Sequence, residues 1–441
     1  MESENLLASV SETILENGLK VICLKKTGAP IVSAQIWYKT GSANEHDGIR
    51  GVSHFFEHMM FRGSKNVGPE EHARRINDVG GHCNAFTAED VTAYLNSVPM
   101  EYLDIVLTLE ADRMRSLAIT QEILDTERNV IIEEFQGNMN QPLTKALLEF
   151  RTVFYKNHPY SISPLGTLDD IKSISVDNCL DYYHTWYTPC NAVAVIVGDF
   201  ESPDKVLDSV NKTLGAIPRG RPLAALGGSA PAAVPHENTW LRRRVEFDVP
   251  FLLVGYPAPA SSNLSALYLE ILQLIISQGE TSRMHREIVR RQSTAVMVGG
   301  INQCLKWSGM SLFLAVFTPD VSVKRVEKAI VEQIESVKEH GVTTQEIEKV
   351  KNATLTNRVF ELYSAEQICQ RLGYSETVEG DFRLWVKRLE ALEGLNKDVL
   401  LEAANKYWNE SSRYTLYLQP KKVKLLYYFA GMFRRVFKKD K

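Results

Sequence analysis

The chain has 441 residues, of which 44% are hydrophobic and 24% are charged, and its formal net charge is −4. This composition is typical of a globular protein with two or three domains of ~150 residues and a large core. The balanced charge excludes a general nucleic-acid-binding surface, so no nucleic-acid partner is expected. The six cysteines are scattered without a C-x-x-C pair. They predict reduced, mostly buried thiols and exclude a disulfide scaffold.

The first residues, M-E-S-E-N-L-L-A-S-V-S-E, are acidic and contain neither a basic segment nor a long apolar one. They therefore predict no secretory signal and no mitochondrial presequence. No apolar run in the sequence approaches the ~18 residues that a membrane-spanning helix needs. We expect a cytoplasmic protein, with any membrane contact limited to the periphery of the inner membrane face.

The first half opens with segments that alternate and are rich in β-branched residues. Leu19–Lys25 and Pro30–Tyr38 predict two adjacent strands. Gly48–Phe61 and Pro69–Val79 have helical patterns, and the second stops at a Gly-Gly pair. Asn84–Ser97 predicts either a strand pair or one long edge strand, and three or four helices are expected from there to residue 184. Strands followed by helices indicate an α+β fold with mixed or antiparallel sheets.

The two halves of the sequence resemble each other. T-Q-E-I occurs at Thr120–Ile123 and again at Thr344–Ile347, each time at the start of a long helical pattern. A matching helix, an aromatic pair and a strand follow in the same order at nearly the same spacing. Amphipathic helices resemble each other by chance, but the kept order and spacing favour a duplication.

A segment rich in Pro, Gly and Ala separates the two halves. Because it has no hydrophobic periodicity, residues 218–237 are predicted to be a linker. The expected organisation is a first domain at residues 1–217, a homologous second domain at residues 238–420 and a tail at residues 421–441.

The first predicted helix contains the motif H-F-F-E-H, with His54, Glu57 and His58. Residues four apart lie one turn above each other, so both imidazoles can reach one metal ion. Glu57 projects from the same turn and can take a proton from a water near that ion. The alternative is a pair of surface histidines, because the pattern also arises by chance. H-x-x-E-H is the inverted form of the H-E-x-x-H zinc peptidase motif.

A third ligand has to come from another part of the sequence. In T-E-R-N-V-I-I-E-E-F, Glu127 and Glu134 are seven residues apart and share one helical face. Glu133 lies about 100° away, between apolar neighbours, and is the weaker candidate. A solvated acidic face would give the same spacing, so the spacing alone leaves the ligand open.

These motifs resemble the pitrilysin-like inverzincin zinc peptidases, in particular the branch that contains mitochondrial processing peptidase and its bacterial relatives. H-F-F-E-H is followed 76 residues later by the last Glu of E-R-N-V-I-I-E-E. The flanking segments Y-K-T-G-S-A-N-E, M-F-R-G-S-K-N, G-G-H-C-N-A-F-T-A-E-D-V-T-A-Y and W-Y-T-P-C-N-A-V-A-V-I-V-G-D also fit. The resemblance implies two homologous α+β halves that form a clamshell, with the zinc site in the first half.

The resemblance also implies a role for each site residue. His54, His58 and Glu134 would bind one Zn²⁺ per chain, and Glu57 would be the general base. Glu127 would be a catalytic carboxylate that orients a ligand histidine. A peptide substrate would pair with an edge strand formed by the four residues Asn84, Ala85, Phe86 and Thr87. Pairing of that kind grips a peptide main chain whatever its sequence.

The second half has no metal motif and departs from the family pattern. The repeat places Arg358 opposite Glu134. Self-sufficient relatives have an Arg and a Tyr in a segment comparable to S-R-M-H-R-E-I-V-R-R-Q-S-T-A-V, where both stabilise the tetrahedral intermediate. Val289 and Val296 stand at those positions here, although a shift of one residue would bring in Arg290. We therefore expect a sister subunit that supplies Arg and Tyr, with this chain as the catalytic subunit of a heterodimer.

The tail Lys421–Lys441 has eight basic residues and one acidic residue interleaved with aromatic residues. This pattern is typical of a basic amphipathic helix on an anionic membrane. A C-terminal helix packed on the body with charged ends would give the same pattern. Both alternatives stay open at this stage.

The sequence as a whole predicts a zinc-dependent endopeptidase that cleaves peptides or unfolded segments held as an extended strand. The first alternative is a non-catalytic assembly subunit of a larger complex, which is disfavoured because such subunits typically lose zinc ligands. The second is a peptide-binding factor with a structural zinc, against which an open fourth zinc position would count.

Overall fold

The computed structural model describes residues 9–221 and 237–422 of the chain. These residues form two compact units. The first unit comprises the described chain up to Asn140, the part from Asn157 to residue 221, and Asn357–Leu389. The second unit comprises Gln141–Lys156, the part from residue 237 to Thr356, and the part from Glu390 to residue 422. Most of the predicted linker and most of the predicted basic tail lie outside the described residues.

The described helices follow one another along the whole chain. Their bounds are α1 Val52–Met59, α2 Glu71–Asp78, α3 Leu103–Ser116, α4 Gln121–Met139, α5 Pro142–Tyr155, α6 Leu168–Ser173, α7 Val176–Trp186, α8 Pro203–Lys212, α9 Ser265–Ser277, α10 Val323–His340, α11 Thr344–Glu361, α12 Ala365–Tyr374, α13 Leu384–Glu393 and α14 Lys397–Tyr407. Two short π-helical segments lie at His285–Arg291 and Ser375–Glu379.

The strands form one sheet in each unit. Those of the first unit are β1 Val10–Ile14, β2 Lys20–Lys25, β3 Ile31–Tyr38, β4 His82–Thr87, β5 Thr92–Pro99 and β6 Ala192–Gly198. Those of the second unit are β7 Thr239–Val245, β8 Phe251–Ala258, β9 Met297–Cys304, β10 Gly309–Val316 and β11 Tyr414–Pro420. The sheet orders are β1-β2-β6-β3-β5-β4 and β7-β11-β8-β10-β9.

The two sheets share a five-stranded topology. β2 runs parallel to β6, which is followed by the antiparallel strands β3, β5 and β4. In the same way, β7 runs parallel to β11, which is followed by the antiparallel strands β8, β10 and β9. β1 is an addition to the first sheet. The predicted α+β class with two homologous halves and mixed sheets is therefore confirmed.

The predicted side-by-side pairing of the first two segments is wrong, because β6 lies between β2 and β3. β6 pairs Val193 with Lys20 of β2 on one side and with Trp37 of β3 on the other. All seven residues of β6 are buried, and such a continuous apolar run is typical of a central strand that needs partners on both edges. The strand that completes the sheet comes from about 150 residues further along the chain, a long-range pairing that local periodicity does not reveal.

Three other local expectations can be compared with the structure. The segment predicted as a strand pair or one long strand is the β4–β5 hairpin. The helix predicted for Gly48–Phe61 begins only at Val52, because Gly48 and Gly51 have φ values of +96° and +101° that lie outside the helical region. The stretch after the hairpin contains five α-helices up to residue 186 rather than three or four. The short helices α6 and α7 have separate N-caps at Thr167 and Ser175, which divide one apparent pattern into two.

The compact units differ from the two contiguous halves by two exchanged segments. α5 belongs to the second unit, where Phe150 packs edge-on against Tyr414 and against the bare Gly255, whose hypothetical Cβ would lie 2.4 Å from the ring. α12 belongs to the first unit and covers the face of the sheet that carries Trp37. There the Cys369 thiol donates a hydrogen bond to the carbonyl of Val195 at 3.0 Å. The predicted domains, residues 1–217 and 238–420, are contiguous and therefore place these two segments in the opposite units.

Candidate metal centre

α1 presents His54 and His58 on successive turns of one face. Their ring centroids are 4.9 Å apart and the ring planes are nearly perpendicular, at 88°. His54 is buried, at 7% exposure, and His58 is half-buried. The helix is short, so its N-terminus has to be held by the surrounding structure rather than by its own length.

A buried carboxylate holds the start of α1. Glu45 accepts hydrogen bonds from the main-chain N–H groups of Gly51 at 2.7 Å and Ser53 at 2.8 Å, which the helix leaves unpaired. Burial outweighs these bonds and raises the pKa of Glu45 to about 7. The Ser53 hydroxyl also bonds to the buried hydroxyl of Tyr182 at 2.7 Å. The first turn, and with it His54, is fixed by side chains outside the helix.

α4 brings Glu134 to the two histidines. Its Oε2 atom lies 3.5 Å from Nε2 of His54 and 3.6 Å from Nε2 of His58, and the three atoms all lie within 4.8 Å of one another. These distances exceed normal hydrogen-bond lengths, so three lone-pair donors converge without bonding to each other. A cation between these three atoms would accept their lone pairs and so compensate their mutual repulsion. Two imidazoles and one carboxylate are a zinc ligand set that leaves a fourth position open.

Glu127 lies about two turns before Glu134 on the same face of α4 and contacts the other side of His58. The Nδ1–H group of His58 donates to Oε2 of Glu127 at 3.2 Å, and Nε of Arg62 lies 2.5 Å from Oε1. Glu127 is fully buried. Because a carboxylate only accepts hydrogen bonds, this contact places the proton of His58 on Nδ1 and leaves Nε2 free to bind a metal.

The electrostatic surroundings of the two histidines differ. Burial lowers the pKa of His54, so its imidazole is neutral at pH 7. Burial also opposes protonation of His58, but the hydrogen bond to Glu127 and the nearby carboxylates outweigh it and raise its pKa. Burial alone would raise the pKa of Glu127, whereas the His58 hydrogen bond and the Arg62 charge hold it below its ordinary value. Glu127 is therefore ionised and keeps His58 oriented.

Glu57 and Glu133 are the remaining acidic candidates. Glu57 is half-buried on the same turn as His58, and its charge acts on both histidines. Glu133 is exposed and is not part of the cluster of potential ligand atoms. The structure thus brings His54, His58 and Glu134 together, with Glu57 beside them.

The four residues predicted to bind substrate lie on β4, which is the terminal strand of its sheet in the described part of the chain. The side chain of Asn84 accepts a hydrogen bond from the main-chain N–H of Ala85 at 2.9 Å. Ala85 packs towards the core that includes α1, and the Thr87 hydroxyl donates to the carbonyl of Ser53 at 3.5 Å. Phe86 faces the other side of the sheet, against Trp37. β4 is thereby joined directly to the helix that carries the histidines.

In the second unit, the positions compared with the family's Arg and Tyr carry no polar group. Val289 is half-buried within the π-helical segment, and Val296 is 58% exposed. Arg290, the alternative from a one-residue shift, forms an ion pair with Glu280. Nothing in this segment replaces the tyrosine hydroxyl.

Sequence reasoning missed two residues that support the metal cluster. Arg62 lies beyond the end of α1, so helical spacing gives no signal for its contact with Glu127. Glu45 lies outside any helical pattern, and only the folded chain shows that it caps α1.

The His-His-Glu cluster on two helices has the ligand types of a zinc hydrolase site, and comparison with known proteins identifies the family. Residues 20–167 match the family model described as Insulinase (Peptidase family M16), and residues 173–354 match the model described as Peptidase M16 inactive domain. Together the two matches span most of the chain. The chain belongs to peptidase family M16, which confirms the resemblance seen in the sequence.

Individual relatives agree with this assignment. The zinc protease PqqE of Helicobacter pylori is 27% identical over 431 residues, which cover 95% of this chain and 95% of that protein. The mitochondrial-processing peptidase subunit beta of Bos taurus is 24% identical and covers 91% of this chain and 82% of its own. A solved protease structure from Helicobacter pylori superposes with a TM-score of 0.85, covers 93% of this chain and 99% of its own, and is 24% identical, which shows a shared fold.

Among the described residues, no helix combines the length and the apolar character that crossing a membrane requires.

Proposed function

We propose that this chain is a zinc-dependent endopeptidase of the H-x-x-E-H class that acts on peptides or unfolded segments. The observation that carries the proposal is the convergence of His54, His58 and Glu134 with Glu57 on the adjoining turn. The fit of the ligand atoms and the zinc protease names of the relatives support one Zn²⁺ at this cluster.

The roles of the chain's own groups follow from their positions. Bound zinc would polarise the substrate carbonyl and lower the pKa of a coordinated water. Glu57 would take the proton from the attacking water and return it to the leaving nitrogen. Glu127 would keep His58 in the tautomer whose Nε2 faces the metal. The residues Asn84–Thr87 of β4 would align the main chain of an extended substrate by pairing with it.

The first experiment combines zinc analysis with cleavage of a quenched peptide library, by the chain alone and by the chain mixed with a candidate sister subunit. The wild-type chain should contain one zinc, and Glu57→Gln should keep the zinc while losing cleavage. Glu133→Gln is the matched control, because Glu133 is exposed and outside the ligand cluster. A chain without zinc and without cleavage would instead favour the assembly-subunit alternative, and zinc without any cleavage under all conditions would favour the peptide-binding factor.

We further infer that full activity requires a sister subunit that supplies an Arg and a Tyr. The aliphatic side chains of Val289 and Val296 support this, since an oxyanion without donors loses orders of magnitude in rate. The name of the bovine relative, a subunit of a processing peptidase, agrees with a divided enzyme. Cleavage should appear only after mixing with a homologue that lacks H-x-x-E-H but has R-x6-Y. Full cleavage by the isolated monomer would refute this requirement.

The proposed cytoplasmic location and the peripheral membrane contact of Lys421–Lys441 rest on sequence composition. Flotation of liposomes with the intact chain and with a chain that ends at Pro420 would test the contact. Equal behaviour of the two chains would refute it.

A further inference from the structure

The first unit contains a cavity of about 260 Å³ beside β4, on the sheet face opposite to α1. Trp37 and Phe86 form its wall on the sheet side. Glu361 and the helix α12 form the rest of the wall. None of the roles described above uses this cavity.

The sheet side of the cavity is one row of cross-strand neighbours. Trp37 of β3 is paired with Ala93 of β5, and Ala93 is paired with Phe86 of β4. Directly paired residues project to the same face of a sheet. Because Ala93 is small, the rings on either side of it reach across and meet edge to face at 5.4 Å. The row ends at Phe86, on the open edge of β4.

A peptide paired with β4 would extend this row by one position. Adjacent strands are about 4.8 Å apart, and successive side chains of a strand point to opposite faces. The substrate residue opposite Phe86 would therefore project onto the face that carries the cavity, next to the Phe86 ring. Its two neighbours would project towards the face of α1. This step rests on the proposed pairing of substrate with β4.

The helical wall of the cavity is already in place. Gln367, Gln370, Arg371 and Tyr374 follow the i, i+3, i+4, i+7 spacing and so share one face of α12. Gly373 of the same helix lies against the Trp37 indole so closely that a Cβ atom would be 2.2 Å from the ring. α12 is thus fixed on the sheet, and the cavity requires no rearrangement to form.

A further contact ties the start of α12 to β4. Nε2 of His82 lies 2.7 Å from the Glu366 carboxylate. The strand that would bind the peptide and the helix that lines the cavity are therefore held together directly.

The charges around the cavity select against ionised side chains. Arg371 is paired with Glu361 at 3.0 Å, and Arg358 shares the same carboxylate. The other lining groups are aromatic rings and two neutral amides. A charged substrate group would lose its hydration without gaining an unpaired partner. Aromatic walls favour a ring, which can pack edge to face or offset on them.

We propose that this cavity is a substrate subsite that accepts one aromatic side chain, from the residue that pairs opposite Phe86. It would make the enzyme selective for extended segments with Phe or Tyr at one fixed position relative to the scissile bond. The size of the cavity admits one large side chain.

The test measures binding, so that it does not depend on turnover or on a sister subunit. Labelled alanine-based peptides, each with a single Phe, Trp, Leu, Lys or Glu moved along the sequence, are titrated by fluorescence anisotropy against the zinc-loaded Glu57→Gln chain. At one position, Phe should bind about tenfold more tightly than Ala, and Lys and Glu should gain nothing.

Two substitutions in the Glu57→Gln background separate the subsite from the rest of the site. Gln370→Trp fills the cavity and should bring the Phe-to-Ala affinity ratio close to one. Gln370→Ala, which is gentler on folding, enlarges it and should extend the preference to Trp. Gln121→Trp is the matched control at an exposed helical position and should leave the ratio at its original value.

The outcomes distinguish the two proposals. Peptides that bind without preference for a ring at any position, or a preference that both Gln370 variants leave intact, would overturn the subsite alone. If no peptide binds, both the subsite and the β4 pairing are wrong. If wild-type cleavage also survives Glu57→Gln, the proposed zinc peptidase mechanism fails independently of the cavity.

Discussion

The two units keep the same five-stranded topology but differ in one helix, which follows β3 in the first unit and β8 in the second. In the first unit α1 is short, begins after Gly51 and presents His54 and His58. In the second unit α9 is longer, and its buried face is aliphatic apart from Gln273 and Ser277. The sheets are conserved in form because their pairing is a main-chain property, whereas chemistry depends on a few side chains and on how one helix begins.

The helix α4, which carries Glu134, also differs from its counterpart α11 in the second half of the sequence. α4 carries Glu127 and Glu134, while α11 carries Arg358 at the position that the repeat matches to Glu134. Arg358 forms an ion pair with Glu361, three residues later on its own helix. An acidic residue that faces two histidines in the first half of the sequence is thus replaced in the second half by a basic residue with a local partner.

The largest expected effect is the loss of zinc binding, the property that distinguishes the first unit, when one of the proposed ligands is removed. We expect His58→Ala to abolish stoichiometric zinc binding and cleavage, because two remaining ligands hold zinc poorly. Zinc analysis after dialysis and a peptide cleavage assay measure both effects. His46→Ala is the control, since His46 is exposed and its ring is within hydrogen-bond distance of the main-chain carbonyl of Asp47. Retention of one tight zinc in His58→Ala would show that the cluster is not the metal site.

Removal of the base should separate chemistry from metal binding. Glu57→Gln should lower kcat by about 10²–10⁴-fold, because proton transfer in the transition state is lost, while zinc content stays at one. Steady-state kinetics of the variant and of Glu133→Gln make the comparison. A drop of the same size in the control would point to a general effect of charge rather than to proton transfer.

Substitution of Glu127, which holds the ring of His58, should weaken zinc binding less than removal of a ligand does. Glu127→Gln should weaken zinc binding about 10- to 100-fold, because the amide holds the Nδ1–H group less firmly than a carboxylate does. Competition with a chelator measures the affinity. Glu122→Gln, at an exposed position on the same helix, should be neutral. Equal affinities in all three chains would remove Glu127 from the metal site.

A buried histidine gives the first unit a pH-dependent stability. Burial lowers the pKa of His72 to about 3 in the folded chain. Below pH 6.5 the imidazole is therefore protonated in the unfolded chain but stays neutral in the folded chain, which favours unfolding. Stability should therefore fall as the pH drops, and His72 should contribute a loss of about 2 kcal/mol between pH 7 and pH 5. Urea unfolding of the wild type and of His72→Gln at both pH values measures the contribution of His72 to the pH dependence of the free energy of unfolding. A pH dependence that is the same in both chains would contradict it.

The smallest effects concern the two T-Q-E-I segments. In α4, Thr120 is the N-cap and its side chain accepts a hydrogen bond from the N–H of Ile123. In α11 the capping residue is Thr343, one position earlier, whose hydroxyl accepts from the N–H of Glu346 at 3.2 Å. Thr120→Ala and Thr343→Ala should each lower the free energy of unfolding by about 1 kcal/mol, and Thr344→Ala should lower it by less. Denaturant unfolding of the three variants decides whether the repeats are capped differently.

Local sequence spacing was sufficient to predict several features of the molecule. Four residues make about one helical turn, so His54 and His58 had to share a face in any helix that contains them. The strand character of residues 84–97 and the long helices that start at T-Q-E-I also follow from patterns within a short window, although the pattern left open whether that segment is one strand or two. The family resemblance added the choice of Glu134, which spacing alone left open between it and neighbouring carboxylates.

Only the tertiary structure decided which distant segments meet. β6 enters between β2 and β3, α12 crosses into the first unit to cover Trp37, and Glu45 caps α1, and none of these contacts has a local sequence pattern. Periodicity fixes which face of an element is apolar, but packing energy decides which other element covers that face. For this reason the sequence, with its family resemblance, predicted the ligands, the base and the role of Glu127, whereas only the fold shows Glu45, Arg62 and the cavity beside β4.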